Sequence, residues 1–403
     1  MMTLLAAFLG WLFDGFEIGL FPVVARPALK AMLDAGMGGD VTVGKWMGFI
    51  TAAFLLGAAI GGGVFGWLGD RIGRVRAMTW SILVYSLFSG AGYFAQTPWH
   101  LAAFRFLAAL GMGGEWALGV ALVMECWPEK HRPWLAGAIG AAANLGMVLV
   151  GFLARLIPVT QTSWRWMFLA GAAPALLTFL IRLFVPESER WKHAVQHGSS
   201  SPLREVLRSP LLGRTLLGIV LAAVALIGTW GSVQWIPLWA DQLTGGKVPD
   251  AKANAQMMSS IGAVFGSFLA PMAGGWVGRR VGYASLCLSS LVICGFLFRS
   301  LHVYNGVFLI TVFFTGFATA SFYGFFPLYF PELFPTRVRA TGQGIAYNFG
   351  RIIAAVGALT SGSLVSHYQG DYARMGAVIT LVYLAGIIAI CFAPETRGKP
   401  LPE

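Results

Sequence analysis

The sequence predicts an all-α membrane protein of twelve transmembrane helices in two pseudo-symmetric six-helix bundles, and three observations carry that prediction. The first is composition. Of 403 residues, 57% are hydrophobic and only 11% are charged, with a mean hydropathy of +0.71, too apolar for a soluble globular chain of this length. The second is spacing: apolar runs long enough to cross roughly 30 Å of hydrocarbon recur along the whole chain, separated by charged loops. The third is an internal echo. Glu125, Pro128 and Arg132 return with the same spacing as Glu332, Pro335 and Arg339, the run 66–73 returns as 275–282, and Pro186-Glu187-Ser188 returns as Pro394-Glu395-Thr396. Three matches at nearly one displacement mean two similar halves joined head to tail.

The first run, near 3–25, holds Asp14 and Glu17 inside an apolar stretch and lacks the basic leader and cleavage site of a removable signal peptide. The second, near 46–68, repeats glycine at four-residue spacing through Gly57 and Gly61, a small-residue face that lets helices approach closely. The third is near 77–95. The fourth, near 99–124, carries two charges, Arg105 and Glu115, in an otherwise apolar span. The fifth (134–157) carries Asn144, and the sixth is near 165–185. A hydrophilic stretch rich in charge, Ser and Pro follows, so the expected division is a bundle over 1–185, a cytoplasmic linker loop over 186–211 and a bundle with a short cytoplasmic tail over 212–403. The seventh run (212–239) contains Gly228 to Pro237, where Gly and Pro favour local unwinding. The remaining spans are expected near 256–278, 284–301, 305–331, 341–365 and 374–393, with Arg351 in the eleventh.

The net charge of +11 would suggest nucleic acid for a soluble protein. Here Lys and Arg collect in short loops, more of them on the side that holds both termini, which predicts no nucleic-acid partner, a lipid bilayer of the inner or plasma membrane, and cytoplasmic termini. Trp46, Trp99, Trp127, Trp134, Trp164 and Trp239 near predicted helix ends are expected to sit in the interfacial belt. The four cysteines show no metal or redox spacing and are expected to be free, buried thiols. Hydrolase and metalloprotease motifs and a phosphate-binding Gly-rich loop are absent, and His193 and His197 lie in the polar linker without a partner at metal spacing, so neither an enzyme nor a metal or organic cofactor is expected. A channel would need rings of polar side chains rather than scattered charges. A nutrient receptor built on the same fold would carry a long signalling tail, and it stays open as an alternative.

The run Gly66-x-x-x-Asp70-Arg71-x-Gly73-Arg74 between the second and third helices, with two six-helix halves around a central loop, resembles the major facilitator superfamily across essentially the whole chain. The resemblance implies a monomeric rocker-switch carrier with its cavity between the halves. It also implies cytoplasmic gating ion pairs built from Asp70, Arg71, Arg74, Glu125 and Arg132, echoed by Glu332 and Arg339, with Arg279 standing where the first copy has an acid. Within the superfamily, Arg105-Phe-Leu with Gly111-Met-Gly-Gly-Glu115-Trp, Glu125-Cys-Trp-Pro-x-x-x-Arg132, Trp164-Arg165-Trp-Met-Phe and 186–191 look like the sialate and lactate proton-symporter branch. Phe13-Asp14-Gly-Phe-Glu17 is similar to its Asp-x-x-Asp pattern, with Glu17 where Asp is usual. The activity this implies is proton-coupled symport of a small organic anion, with protons as the coupling ion. A sugar or other neutral metabolite carrier of the same superfamily is the alternative.

Only Asp14, Glu17, Arg105, Glu115 and Arg351 are ionisable and well inside an apolar run, and each is expected to face a cavity or a partner rather than lipid. Asp14 and Glu17 share a helix face, and two carboxylates in a poorly hydrated place repel, which favours proton loading. Alternatively, one of them pairs with Arg105 or caps a helix end. Glu115 lies roughly 15 Å along the axis from Arg105 and cannot be its direct partner. It is either a further proton site or an acceptor facing the first helix. Arg105 corresponds by resemblance to the fourth-helix arginine of proton-coupled members, and otherwise would snorkel to the interface. Arg351 pairs, by the internal displacement, with Asn144. A guanidinium there offers a bidentate fork to a carboxylate, with the amide for a hydroxyl or carbonyl, unless a first-helix carboxylate neutralises it. Tyr347 and Asn348 beside Arg351, Trp230 and Gln234 in the seventh helix, and Tyr323 in the tenth complete the expected substrate set.

Overall fold

Apolar runs with glycine on one face become long helices that pack backbone to backbone. The computed structural model describes residues 2–33, 39–126, 132–173, 205–335, 338–399 and 402, all helix, turn or extended chain with no strand among them. The first half contains α1 (Met2–Met32), α2 (Asp40–Ile72), α3 (Arg74–Ala91), α4 (Pro98–Cys126), α5 (Arg132–Leu156) and the start of α6 (Arg165–Ala170). The second contains α7 (Leu211–Leu243), α8 (Ala251–Val277), α9 (Arg279–Ser300), α10 (Gly306–Leu333), α11 (Arg339–His367) and α12 (Tyr372–Ile390). Among the described residues, nine of these are long and apolar enough to cross a membrane by length and composition. The rest of the sixth expected helix and most of the expected linker, with His193 and His197, lie outside the described residues.

Two helix ends differ from the sequence expectation. α1 runs through Pro22 and Pro27 to Met32, and α2 begins at Asp40, so Arg26 and Asp40 sit on helices rather than in a loop. Hydropathy marks the hydrocarbon-matched part of a helix, and polar ends that pack against other protein fall outside that mark. α7 breaks where Gly and Pro predict. A short 3₁₀ turn over Val233–Trp235 follows Ser232, whose hydroxyl donates to the Gly228 carbonyl at 2.6 Å, while Trp235 Nε1 donates to the Trp230 carbonyl at 3.1 Å.

The two halves repeat the same close approach. A Cβ at Gly57 or Gly61 of α2 would collide with the carbonyls of Phe106 and Leu110 on α4, and a Cβ at Gly262 or Gly266 of α8 would collide with those of Phe313 and Phe317 on α10. The turn glycines also match, with Gly73 (φ 108) before α3 and Gly278 (φ 97) before α9, both in the region that L side chains avoid. This corrects the register of the echo. Gly282 lies inside α9 rather than at the turn, so Arg279 opens α9 as Arg74 opens α3, and the counterpart of Asp70 is Gly275. The bundles meet along α5 against α8 and α2 against α11.

Trp99 and Trp134 are exposed, whereas Trp164 and Trp239 are buried and cannot belong to an interfacial belt. Trp239 packs on Phe298 and Phe308, and Trp164 on Phe168, since a helix end can be covered by a neighbouring helix as easily as by headgroups. Trp127 lies outside the described residues. Cys287 and Cys294 are buried free thiols, but Cys391, past the end of α12, is exposed.

Candidate functional site

Between the bundles lies a cavity of about 150 Å³. Of the expected substrate residues, Arg351, Asn144, Gln234, Trp230, Tyr323 and Tyr347 line it, and so does Asp14 of α1. Asn348 does not. One turn from Arg351 on α11, it accepts from Arg351 Nη1 at 3.4 Å and packs against Gly62 of α2, so it holds the guanidinium rather than facing the space. The Arg351 Cζ also sits 4.8 Å from the Tyr347 ring centroid, a cation–π contact that orients the fork. Arg351 is buried, and among the described residues it makes no ion pair with a first-helix carboxylate. Asn144 donates to the Gly140 carbonyl at 2.9 Å and to Ser267 Oγ across the bundle interface at 3.3 Å.

The first-half charges separate into two groups. Glu17 and Arg105 form a fully buried ion pair, and Arg105 Nη1 also donates to the Glu17 carbonyl at 3.2 Å. Ser89 of α3 donates to the other Glu17 carboxylate oxygen. The Arg105 guanidinium lies 4.3 Å from the Phe54 ring centroid and 5.3 Å from that of Phe21. Snorkelling is therefore wrong for Arg105: at 2% exposure it is held inward by an opposite charge and two aromatic faces. Neither Glu17 nor Arg105 lines the cavity.

Asp14 and Glu115 form the second group, close enough to interact electrostatically, with Arg351 and Glu17 also within reach of Asp14. Both Glu115 carboxylate oxygens and Asp14 Oδ1 are buried with no hydrogen-bond partner among the described residues. Glu115 faces α1 where Gly10 leaves room, because a Cβ at Gly10 would strike the Glu115 carboxylate. Glu115 itself does not line the cavity, whereas Asp14 does.

Sequence reasoning missed Trp11, Thr229, Gln256 and Ser260 in the cavity wall. Gln256 and Ser260 sit one turn apart on α8, with the amide donating to the hydroxyl at 2.9 Å. Their four-residue spacing at the start of an apolar run was the available signal. Trp11 Nε1, Thr229 Oγ1 and Tyr323 OH, like Asp14 Oδ1, are buried in the wall without a hydrogen-bond partner among the described residues. A ligand with oxygen atoms would satisfy such groups.

Of the expected gating residues, the side chains of Asp70, Arg71, Arg74, Glu125, Arg132 and Arg339 lie outside those described. Glu332 is described, and its partner is Arg279, through a bidentate pair at 2.7 and 2.9 Å. Thr396 Oγ1 donates to the same carboxylate, and Glu395 accepts from the backbone N–H of Arg279 (2.9 Å) and Arg280 (3.1 Å). The second copy thus uses the arginine that follows its turn glycine and ties it to the segment after α12.

The sequence profile of the Major Facilitator Superfamily matches residues 3–358. The cis,cis-muconate transport protein of Acinetobacter baylyi is 28% identical to this chain over 99% of this chain and 95% of its own length. The sialic acid transporter of Escherichia coli is 27% identical over 98% of this chain and 94% of its own. The fold is shared with a solved D-xylose–proton symporter at a TM-score of 0.74 and 21% identity, covering 99% of both chains.

Proposed function

The chain belongs to the major facilitator superfamily and is a membrane transporter, not an enzyme, and from that premise we propose that it carries a small organic anion by proton-coupled symport with alternating access. The observation that carries this reading is that Arg351 and Asp14, from opposite bundles, share the wall of one buried cavity. A guanidinium held by Asn348 and Tyr347 offers a planar fork to a carboxylate. An ionised Asp14 in the same small space repels that carboxylate, whereas a protonated one does not. Proton loading at Asp14, with Glu115 behind it as a second carboxyl, therefore precedes or accompanies anion binding. Anion entry against a negative interior works against about 2.3 kcal/mol per charge per 100 mV, and co-entering protons offset this. The relatives support the same class, since muconate and sialic acid are both carboxylates.

The Glu17–Arg105 pair is assigned a structural role, holding α1 against α3 and α4, because breaking it would strand a buried charge. The protein is assigned to the inner membrane as a monomer with both termini in the cytoplasm. Uptake by proteoliposomes under an inward proton gradient, with muconate, sialate, lactate, benzoate and glucose in parallel, tests the proposal. One acid accumulates and a protonophore abolishes the accumulation. Arg351→Ala raises KM for that acid at least tenfold, since each lost charged hydrogen bond is worth roughly 1.5–3 kcal/mol. Entry of glucose alone, indifferent to the gradient, would identify a neutral-metabolite carrier instead.

A further inference from the structure

The helix ends that hydropathy misplaced build a cluster of charges at one end of the molecule. Arg26 of α1 donates to Asp241 Oδ2 of α7 at 2.6 Å and to Asp40 Oδ1 of α2 at 3.0 Å. Lys252 of α8 donates to Asp241 Oδ1 at 3.3 Å, and Lys30 lies 3.7 Å from Asp40. Gln242 donates to Asp40 Oδ2 at 3.2 Å and to the Gly370 carbonyl at 2.8 Å, and Tyr372 OH of α12 donates to the Asp40 carbonyl at 3.2 Å. Nearby, Arg155 Nη1 of α5 donates to Asn254 Oδ1 of α8 at 2.5 Å. Arg26, Asp241 and Lys252 are each at most 6% exposed. Since α1 runs towards Arg26 and α12 runs away from Tyr372, this end lies opposite the one where α1 starts and α12 finishes.

Sorting these contacts by bundle separates two kinds. Arg26–Asp40 lies wholly within the first half and Lys252–Asp241 wholly within the second. Arg26–Asp241, Gln242–Asp40, Tyr372–Asp40 and Arg155–Asn254 cross between them. Parting the bundles breaks only the second kind, and each buried ion keeps a partner of opposite sign on its own side. Stranding an unpaired buried charge, the event that makes buried ion pairs hard to break, is thereby avoided. A gate with this arrangement has two comparably satisfied states. We infer that Arg26, Asp40, Asp241 and Lys252 form a charge-neutral latch that closes the end of the cavity opposite the termini, with Arg26–Asp241 as its bolt and the two within-bundle pairs as its rests.

The latch rests on the alternating-access reading, and its test needs no substrate, so failure of either is distinguishable. Lys45 at the start of α2 and Lys247 between α7 and α8 are exposed on the two sides of the latch. Spin labels at Lys45→Cys and Lys247→Cys, in a chain whose native cysteines are replaced, report the separation by pulsed electron resonance in lipid nanodiscs. Asp241→Asn removes the bolt, made only in the closed state, together with the Lys252 pair, made in both, and the ratio of short to long distances falls at least about tenfold. Gln242→Ala and Tyr372→Phe shift it the same way by less, and serve if Asp241→Asn does not fold. Lys252→Met leaves Asp241 paired with Arg26 in the closed state but without a partner in the open one, so the ratio rises. An unchanged ratio in Asp241→Asn or, if that variant does not fold, in both Gln242→Ala and Tyr372→Phe overturns the latch, as does a fall of the ratio in Lys252→Met.

Discussion

The two bundles share a backbone and divide the chemistry. α2 against α4 and α8 against α10 approach through glycines at the same four-residue step, onto carbonyls at the same step. The charged residues are not repeated. The displacement that carries Asn144 to Arg351 carries Asp14, Glu17, Arg105 and Glu115 to Leu221, Val224, Val312 and Phe322, all apolar and buried. The first bundle therefore holds every mid-membrane carboxylate described, and the second holds the cation that faces the cavity. Close packing has to be kept in both copies for either to fold, whereas a charge inside a membrane survives only where it has a partner or a task. The lesson is that duplication preserves the approach of backbones and frees the side chains above it to specialise.

The comparison predicts its largest break at Arg105. Arg105→Ala leaves Glu17 buried without its cation and is expected to destabilise the protein by about 3–5 kcal/mol, read as a lowered unfolding midpoint in detergent. Val312→Ala, at the counterpart position in the second bundle, removes only packing and is expected to lower the midpoint far less. Equal effects would show that the Glu17–Arg105 pair does not hold the first bundle together. The packing half of the comparison is tested by Gly57→Val and Gly262→Val. Each forces a side chain onto a facing carbonyl and is expected to destabilise by about 1–3 kcal/mol, alike in the two bundles. A large disparity would mean that the two approaches are not equivalent.

The smallest expected effect lies at the end of α12. Burial works against ionisation of Glu395, but the backbone N–H groups of Arg279, Arg280, Arg397 and Thr396 outweigh it and hold the carboxyl below its ordinary 4.5. Because the folded value is the lower one, the stability it confers is present above pH 4.5 and fades as the pH falls through that folded value. Glu395→Gln is expected to flatten this small acid-side loss, checked by unfolding midpoints across a pH series.

Much of this was legible in the sequence, for reasons that particular residues make plain. Asp14, Arg105 and Glu115 stand out because a charge in an apolar run has so few explanations. The unwinding of α7 was legible from Gly228 and Pro237 because backbone-specific residues act locally. The latch was not, because Arg26 and Asp241 lie far apart in sequence at helix ends where charge is ordinary, and only tertiary packing makes them partners. The role of Asn348 was misjudged for a related reason. Sequence places it one turn from Arg351, and only the structure shows that the amide turns to the guanidinium instead of the cavity. The echo of Arg279 was misaligned because a Gly-rich motif fits itself at a shift of one helical turn, and the positive φ of Gly278 decides the register.

The division of labour between the bundles is tested most directly at Asp14, with the anion site left intact. Asp14→Asn in proteoliposomes, measured both for exchange of labelled acid at equal concentrations and for accumulation under a proton gradient, separates the two tasks. The account predicts that exchange is retained and accumulation lost, since Arg351 still binds the carboxylate while the carboxyl that takes up the proton in the cavity wall is gone. Accumulation at the wild-type ratio in Asp14→Asn would contradict it, and would place the coupling proton away from the cavity carboxylate of the first bundle.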